Sequence, residues 1–284
     1  MSAAGAAVSP APGAHPRVGC TVDADGRIAF DLPPAPAEDR QVPEPQLLLR
    51  LRPKKGQPEK TLHVLDLERA DDGHRRAVLG PRPVLAEGRW DVYLLQDGGS
   101  RRQRLRPGPR DLRALVDGHL RDRTTPLAVR IPYVTKDGCL AVRAWVRPAH
   151  AEAAGVTVTD RSTTVDVRLH GARLLAGAVV HLRLRGGGTV RTLEPRPGSD
   201  GRDFSFTVDH AELAAGTGAG NGIWDVFVRP APQDALIRVA RLLDDVADRK
   251  EVFVYPTVTA AGATLRLYYT VDNDLAVEVR KAAR

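Results

Sequence analysis

The sequence has few of the residues that most often form cross-links or metal sites. Of its 284 residues, two are cysteine and one is methionine. The two cysteines, Cys20 and Cys139, are far apart and not in a Cys-x-x-Cys spacing. They exclude a disulfide framework and a cysteine-based zinc site, and leave at most one bridge.

Long hydrophobic runs are also missing. No stretch approaches the roughly 18 consecutive apolar residues that cross a membrane. The N-terminal residues 1–17 are rich in Ala, Gly and Pro and lack the basic start and apolar stretch of a secretory signal. We therefore expect a flexible tail at 1–17, no membrane span and a cytoplasmic protein.

Lysine is scarce, although the net charge is +7. Almost all basic residues are arginine, and together with abundant Ala, Gly and Pro this bias is typical of a GC-rich genome. The charge is therefore not read as a nucleic-acid signal, and no nucleic-acid partner is predicted. It is compatible with an anionic partner such as a phosphate-bearing polymer.

No local catalytic constellation is present. The sequence has no Gly-x-Ser-x-Gly, no His-Glu-x-x-His and no Asp-x-Asp-x-Asn-Gly motif. The glycine-rich run RLRGGGTV lacks the Gly-Lys-Ser/Thr of a phosphate loop and is typical of a hairpin. His170 and His181 are the one pair that strand pairing could bring together. We predict no catalytic residue, no cofactor and no metal site.

What the sequence does contain is a repeat. EGRWDVYLL at 87–95 returns as NGIWDVFVR at 221–229, and YVTKDGCLAV at 133–142 returns as YYTVDNDLAV at 268–277. The tyrosines that begin the second pair are 135 positions apart and the tryptophans of the first pair 134 apart. Two motifs that keep nearly the same offset indicate an internal duplication of almost the whole chain.

Within each copy the hydrophobic period is two, which predicts strands with one buried face. The runs KDG at 136–138, GGG at 186–188 and DND at 272–274 predict hairpin turns between strands. We therefore predict an all-β protein of two tandem immunoglobulin-like sandwiches, residues 18–149 and 150–284.

Two segments need a separate interpretation. Residues 147–156, RPAHAEAAGV, are predicted as a short connection between the copies, with the boundary near 150. The segment 235–252 could form an amphipathic helix. The window of copy one that corresponds to it contains Pro107, Gly108 and Pro109, so a strand at about 236–242 and an irregular loop are preferred.

Aromatic residues in the repeats are predicted to anchor the cores. These are Trp90, Trp224, Tyr133 and Tyr268. A sugar-stacking platform is the alternative for the two tryptophans. Trp145 has no aromatic counterpart in copy two, so it is assigned either to an inter-domain or oligomer interface or to packing on the connection.

Charged residues at repeated positions are the candidate ligand-binding set. Arg50 and Arg52 correspond to Arg183 and Arg185, and they are candidates to hold an anionic ligand. Asp91 and Asp225, which follow the tryptophans, could bind a cation or a sugar hydroxyl. An aspartate on the outer strand face that bonds a neighbouring loop explains the repetition equally well.

The combination of Gly-x-Trp-Asp with Tyr-x-Thr-x-Asp-Gly/Asn-x-Leu-x-Val resembles the C-terminal immunoglobulin-like modules of bacterial family-2 glycosyltransferases. These include the wall teichoic acid enzymes and their actinobacterial relatives. The resemblance covers both copies, and it implies a non-catalytic module that assembles its enzyme into trimers. No nucleotide-sugar-binding domain with an Asp-x-Asp motif precedes copy one in this sequence, so a transferase label would lack its active site.

The leading hypothesis is accordingly a non-catalytic interaction protein. Its expected partners are further copies of itself, with a trimer favoured, or a glycosyltransferase, and an anionic polymer or glycan of the cell envelope is a further candidate. Two alternatives remain open: a duplicated β-fold that binds or transforms a small molecule, and a carbohydrate-binding module.

Overall fold

The computed structural model describes residues 15–34, 45–53, 55–59, 61–70, 73–117 and 126–281. Nearly all regular structure within them is β-strand, which confirms the predicted all-β class. They form two compact units. Unit 1 contains the residues up to Leu112 together with Pro132–Arg143, and unit 2 contains Arg113–Ile131 and the residues from Ala144 onward. The tail predicted at 1–17 lies outside the described residues as far as position 14.

Eleven strands precede residue 148 in the described part of the chain. They are β1 (Arg17–Val22), β2 (Ile28–Leu32), β3 (Gln46–Leu51), β4 (Leu62–Asp66), β5 (Glu68–Arg69), β6 (Arg75–Leu79), β7 (Gly88–Gln96), β8 (Arg101–Arg104), β9 (Arg106–Asp111), β10 (Leu127–Val134) and β11 (Leu140–Arg147). A short helix, α1, spans Arg113–Val116. The strands form two sheets, in the orders β5-β6-β2-β1-β9 and β10-β11-β7-β3-β4, and β8 pairs with β7.

The core of unit 1 follows the period-two pattern. Val18, Cys20 and Val22 of β1 are buried while their neighbours are more exposed. Ile28, Phe30 and Leu32 do the same on β2. Because alternate side chains of a strand point to opposite faces, each strand gives one face to the core.

Unit 2 contains the remaining strands. They are β12 (His150–Val158), β13 (Ser162–His170), β14 (Val179–Leu184), β15 (Val190–Leu193), β16 (Arg196–Pro197), β17 (Asp203–Asp209), β18 (Gly222–Arg229), β19 (Ile237–Ala240), β20 (Thr257–Ala260), β21 (Ala263–Tyr269) and β22 (Leu275–Lys281). The sheet order is β16-β17-β13-β12-β19-β18-β22-β21-β20, and β14 pairs with β18 and β15. Strand β19 joins the two parts of the sheet, because it pairs in parallel with β12 and antiparallel with β18.

Helix α2 (His210–Gly216) follows β17 directly. The Asp209 side chain accepts a hydrogen bond of 2.9 Å from the Glu212 N–H, so the first turn has an N-cap. Leu213 and Ala214 are buried in the core of unit 2. The helix therefore covers part of the sheet with its apolar face.

The glycine of Gly-x-Trp-Asp is required because a leucine side chain of the neighbouring strand packs closely against it. A Cβ atom at Gly88 would lie 2.5 Å from the Leu51 Cδ1, and one at Gly222 would lie 2.6 Å from the Leu184 Cδ1. Since Leu51 and Leu184 hold the same place in their units, one packing constraint accounts for both glycines.

The predicted hairpin turns at 136–138 and 272–274 are confirmed. Thr135 and Thr270 each accept hydrogen bonds from backbone N–H groups within the turn, at 3.0 to 3.3 Å. Gly138 has a φ of 73° and Asn273 a φ of 61°. A left-handed residue is tolerated best as glycine or asparagine, which explains the Gly/Asn exchange between the two motifs.

The two ambiguous segments have different outcomes. A strand at Ile237–Ala240 followed by irregular chain agrees with the preferred interpretation of 235–252. The predicted connection at 147–156 is wrong, because β12 occupies His150–Val158. Its alternate alanines Ala151 and Ala153 are fully buried, and small residues fit a strand that is paired on both sides.

Two of the four predicted core anchors are not in the core. Tyr133 and Tyr268 are only partly buried. In β21 the alternation places Leu265, Leu267 and Tyr269 inward, so Tyr268 faces outward. Tyr269 is the core tyrosine, with no exposed area and ring contacts to Phe253 and Tyr255 at centroid distances of 5.9 and 6.0 Å.

We predict a large difference between neighbouring alanine variants of these tyrosines. Tyr269→Ala should reduce the free energy of unfolding by about 3–5 kcal/mol, since it leaves a cavity in the core. Tyr268→Ala should cost about 1 kcal/mol or less. Urea unfolding followed by tryptophan fluorescence measures both, and equal losses would contradict the assigned strand orientation.

Candidate functional site: the outer sheet faces and their edge strands

An ion-pair cluster surrounds Asp91 on the face of β7 that points away from Trp90. The Asp91 side chain is 2% exposed. Arg52 donates to its Oδ1 from Nε at 2.9 Å and from Nη2 at 2.7 Å, and Arg50 Nη2 donates to its Oδ2 at 3.1 Å. Arg104 adds a third guanidinium at 3.5 Å. Three guanidinium groups therefore surround the Asp91 carboxylate, and Arg104 also lies 3.7 Å from Asp137 Oδ2.

The cluster determines the protonation state of Asp91. Burial by itself would raise the pKa of Asp91, but the hydrogen bonds from Arg52 and Arg50 outweigh burial and lower it. The same bonds raise the pKa of Arg52. Asp91, Arg50 and Arg52 therefore remain charged near neutral pH.

Tyr93 and Glu59 extend the cluster along the same face. The guanidinium carbons of Arg50 and Arg104 lie 5.2 and 5.4 Å from the centroid of the Tyr93 ring, within cation–π range. Glu59 pairs with Arg50 at 3.3 Å and with Arg102 at 2.7 Å. Tyr93 also packs with buried Leu48 and Leu95.

Unit 2 has the corresponding cluster around Asp225. Arg185 donates to both carboxylate oxygens from Nε, at 3.0 and 2.9 Å, and to Oδ1 from Nη2 at 2.7 Å. Arg238 donates at 2.5 Å and lies 5.0 Å from the centroid of the Phe227 ring. Arg183 is exposed, and its guanidinium carbon lies 5.8 Å from the same centroid.

The structure thus brings predicted arginines and aspartates together, but they form ion pairs with each other. Asp91 and Asp225 are held by arginines, so neither is placed as a cation ligand. Sequence reasoning missed Arg104 and Arg238, which lie outside the repeated motifs. A signal for Arg104 was present in the alternating run RRQR at 101–104, which becomes strand β8 beside β7.

Strand β4 is the outer edge of its sheet. The Leu51 N–H donates to the Thr61 C=O at 3.1 Å, so by alternation Leu62 and Val64 direct their backbone groups to the open side. Within the described residues these groups have no strand partner there. The side chains are apolar, and each residue is 45% exposed.

Strand β15 has the same place in unit 2. The Leu184 N–H donates to the Thr189 C=O at 3.0 Å, and Val190 and Thr192 take the outward positions. Val190 is 40% exposed. The polar Thr192 replaces the apolar Val64, so this edge is less hydrophobic than β4.

All three tryptophans are buried. Trp90 donates its indole N–H to the Ala86 carbonyl at 2.9 Å, and Trp224 donates to Thr217 Oγ1 at 2.9 Å. Both lie in the cores of their units, so neither forms a sugar-stacking platform. Trp145 has no exposed area, which corrects its assignment to an oligomer surface. Its indole donates to the Asp272 carbonyl at 3.3 Å.

The described residues contain no group of three or more His, Cys, Asp or Glu side chains that could hold a metal ion. Cys20 and Cys139 are both free and buried, and burial raises the pKa of Cys20 to about 12. No helix in the described part of the chain has the length and apolar character needed to cross a membrane.

The sequence suggested that His170 could meet His181. In the structure His170 lies beside His150 instead. The two rings stack with centroids 6.1 Å apart, and His150 Nε2 lies 2.7 Å from Glu152 Oε2. Glu152 also accepts from the N–H groups of Leu242 and Leu243 at 2.8 and 3.0 Å. Burial first, and then His150, lower the pKa of His170.

The chain matches no known family model and no curated protein. Among solved structures it is similar to S. aureus TarS, with 9% identity and a TM-score of 0.36 over 57% of this chain and 30% of that one. A TarS fragment, residues 217–571, gives 14% identity and a TM-score of 0.31 over 69% and 56%. The chain therefore spans less than two thirds of either structure.

We expect Asp91→Asn to destabilise unit 1, because it leaves three guanidinium groups around a neutral amide. The arginines are partly exposed, so the expected cost is about 2 kcal/mol. Asp225→Asn is the matched variant, and it should cost about 1 kcal/mol since that side chain is 14% exposed. Denaturant unfolding compares them, and a stabilised Asp91→Asn protein would refute the structural role.

A second prediction concerns pH. Because the pKa of His170 is lowered on folding, protonation favours the unfolded chain, and stability should fall as pH drops below about 6.5. His170→Gln should lose less stability between pH 7 and pH 5 than the unsubstituted chain. His74→Gln, at an exposed position, is the control and should keep the full loss in a thermal unfolding series.

Proposed function

We propose that the chain is a non-catalytic interaction module that self-associates through the β4 edge. The proposal rests on one observation: Leu62 and Val64 combine exposed apolar side chains with outward backbone groups that have no strand partner in the part of the chain that the structure describes. An edge of this kind is a template for pairing with a strand of another chain.

The composition of β4 supports this interpretation. Edges that must stay unpaired usually carry charged residues, especially lysine, or proline, and β4 has none of these before its last residue, Asp66. Its partner strand β3 also pairs with β7, and Leu47, Leu48 and Leu49 of β3 are buried. The β4 edge is therefore held extended before it binds. Pairing would add backbone hydrogen bonds and cover both apolar side chains.

We take three copies as the expected assembly, from the motif resemblance to glycosyltransferase modules, and place the module beside such an enzyme in the cytoplasm. Pairing of β4 with β4 about a two-fold axis would close a dimer. A trimer instead requires β4 of one copy to meet a different edge of the next. Strand β15, the corresponding edge of unit 2, offers Val190 and outward backbone groups that pair with no other described strand.

The test is the absolute mass in solution, by light scattering on a sizing column at two concentrations. We expect three times the monomer mass of 30.7 kDa. Val64→Lys places a charge on the pairing edge, and it should shift the protein to monomer at both concentrations.

Thr192→Lys (T192K) places the same charge at the position of β15 that corresponds to Val64. This variant shows whether β15 is the second edge. In a trimer of β4 with β15, T192K should also dissociate the assembly, whereas a dimer of β4 with β4 should be insensitive to it. Thr259→Lys (T259K), at an exposed position on the edge strand β20, is the control for a charge on an uninvolved edge. A monomer before any substitution would overturn self-association.

A further inference from the structure

A groove crosses the outer face of β18, β22 and β21 in unit 2. It consists of two adjoining cavities of about 500 Å³ and 300 Å³, which share Ile223, Glu278 and Arg280. The first extends to Arg185 and Asn221, and the second is walled by residues 250–255. Each volume lies within the range of small-molecule pockets, so the groove has more room than a single ion needs.

Cations predominate in the lining of the groove. It contains Arg185, Arg266, Arg280 and Lys250, against the two carboxylates Glu251 and Glu278. Glu278 is shared, since Arg266 lies 3.2 Å and Arg280 2.9 Å from its carboxylate oxygens. Lys250 is exposed and has no ion-pair partner among the described residues. The charges of the lining side chains sum to +2, and one of these cations, Arg185, is paired with Asp225 beside the groove.

The groove is also lined by an amide side chain and by aromatic rings. Tyr255 and Tyr268 line the second cavity and are both partly exposed. The Asn221 side chain at the other end accepts a hydrogen bond from the Lys281 N–H at 2.9 Å, so its orientation is fixed. Glu278 lies between these ends as an acceptor.

We propose that this groove binds an extended anionic saccharide or polyol chain. The arginines match the phosphate or carboxylate groups of such a chain. Tyrosine rings and amide and carboxylate acceptors match its carbon–hydrogen faces and its hydroxyl groups. The two tyrosines supply the aromatic surface that the buried tryptophans cannot.

The acidic residues favour this ligand over a single-stranded nucleic acid. A nucleic-acid backbone carries a charge on every unit, and its binding groove normally follows it with continuous positive charge and stacked aromatic rings. Glu278 in the middle of the groove opposes such a dense row of phosphates. A hydroxyl-rich chain with spaced charges can instead donate to Glu278 between its anionic groups.

The experiment is titration calorimetry of the full chain with four hexameric probes. These are a phosphodiester-linked glycerol hexamer, a galacturonic acid hexamer, neutral maltohexaose and a single-stranded DNA hexamer. We expect binding to at least one of the first two, and which of them binds distinguishes phosphate from carboxylate. Maltohexaose should bind at least about tenfold more weakly, a difference of about 1.4 kcal/mol.

Variants locate the binding site. Arg280 has 62% of its side chain exposed, so Arg280→Glu should leave the fold intact and weaken binding of the anionic hexamer about tenfold. Arg196→Glu makes the same charge change at an exposed position on β16 and should have less than about a twofold effect. Tyr268→Ala should weaken binding while lowering the melting temperature by no more than about 4 °C.

Three outcomes would overturn the proposal. The first is that neither anionic hexamer binds, and the second is that maltohexaose or DNA binds as tightly as they do. The third is that Arg196→Glu weakens binding as much as Arg280→Glu, since the effect would then be general charge attraction. The V64K protein, tested in parallel, separates this groove from the β4 edge, because its groove residues are unchanged.

Discussion

The alternation of side chains along β7 and β18 is the constraint on which both units depend. Trp90 and Trp224 point into the cores, and the next residue in each strand, Asp91 or Asp225, must then point to the outer face. A one-residue slip would place a carboxylate in the core and an indole outside. The arginines of the neighbouring strands reinforce this register, because they pair with the aspartates only when the tryptophans are buried.

The same constraint leads to different outer faces in the two units. In unit 1, buried Leu48 of β3 pairs with the apolar Val64 of β4. The corresponding pair in unit 2 is His181 and Thr192. Unit 1 therefore has the more hydrophobic edge. Unit 2 has the groove between the 250–255 segment and β22, lined by arginines and tyrosines. A shared register thus accommodates an apolar strand edge in unit 1 and a polar groove in unit 2.

The elements that the sequence predicts well are those whose cause is local. The all-β class follows from the period of two, and the hairpins follow from Thr135 and Thr270, whose hydroxyls bond backbone groups only a few residues away. The inward position of Tyr269 was also written in that period. Tyr268 was assigned to the core because it belongs to the repeated motif. The alternation along β21 places it on the outer face instead.

The remaining features depend on residues that are distant in sequence. Arg238 reaches Asp225 because β19 pairs with β18, and Ala151 and Ala153 are buried because β12 has neighbours on both sides. In sequence, the alanines resemble a linker. His150 meets His170 through the β12–β13 register, which period alone does not fix.

Ordered arginines give the outer faces a further property. A guanidinium that is free in solution loses side-chain entropy when it binds an anion, of the order of 1 kcal/mol for each immobilised side chain. Arg185, Arg266 and Arg280 are already held by Asp225 and Glu278. Arg266 and Arg280 share the single carboxylate of Glu278, so this pair keeps unused donors and a net positive charge. For the anion-binding role proposed for the groove, these ion pairs predict a smaller loss of side-chain entropy on binding.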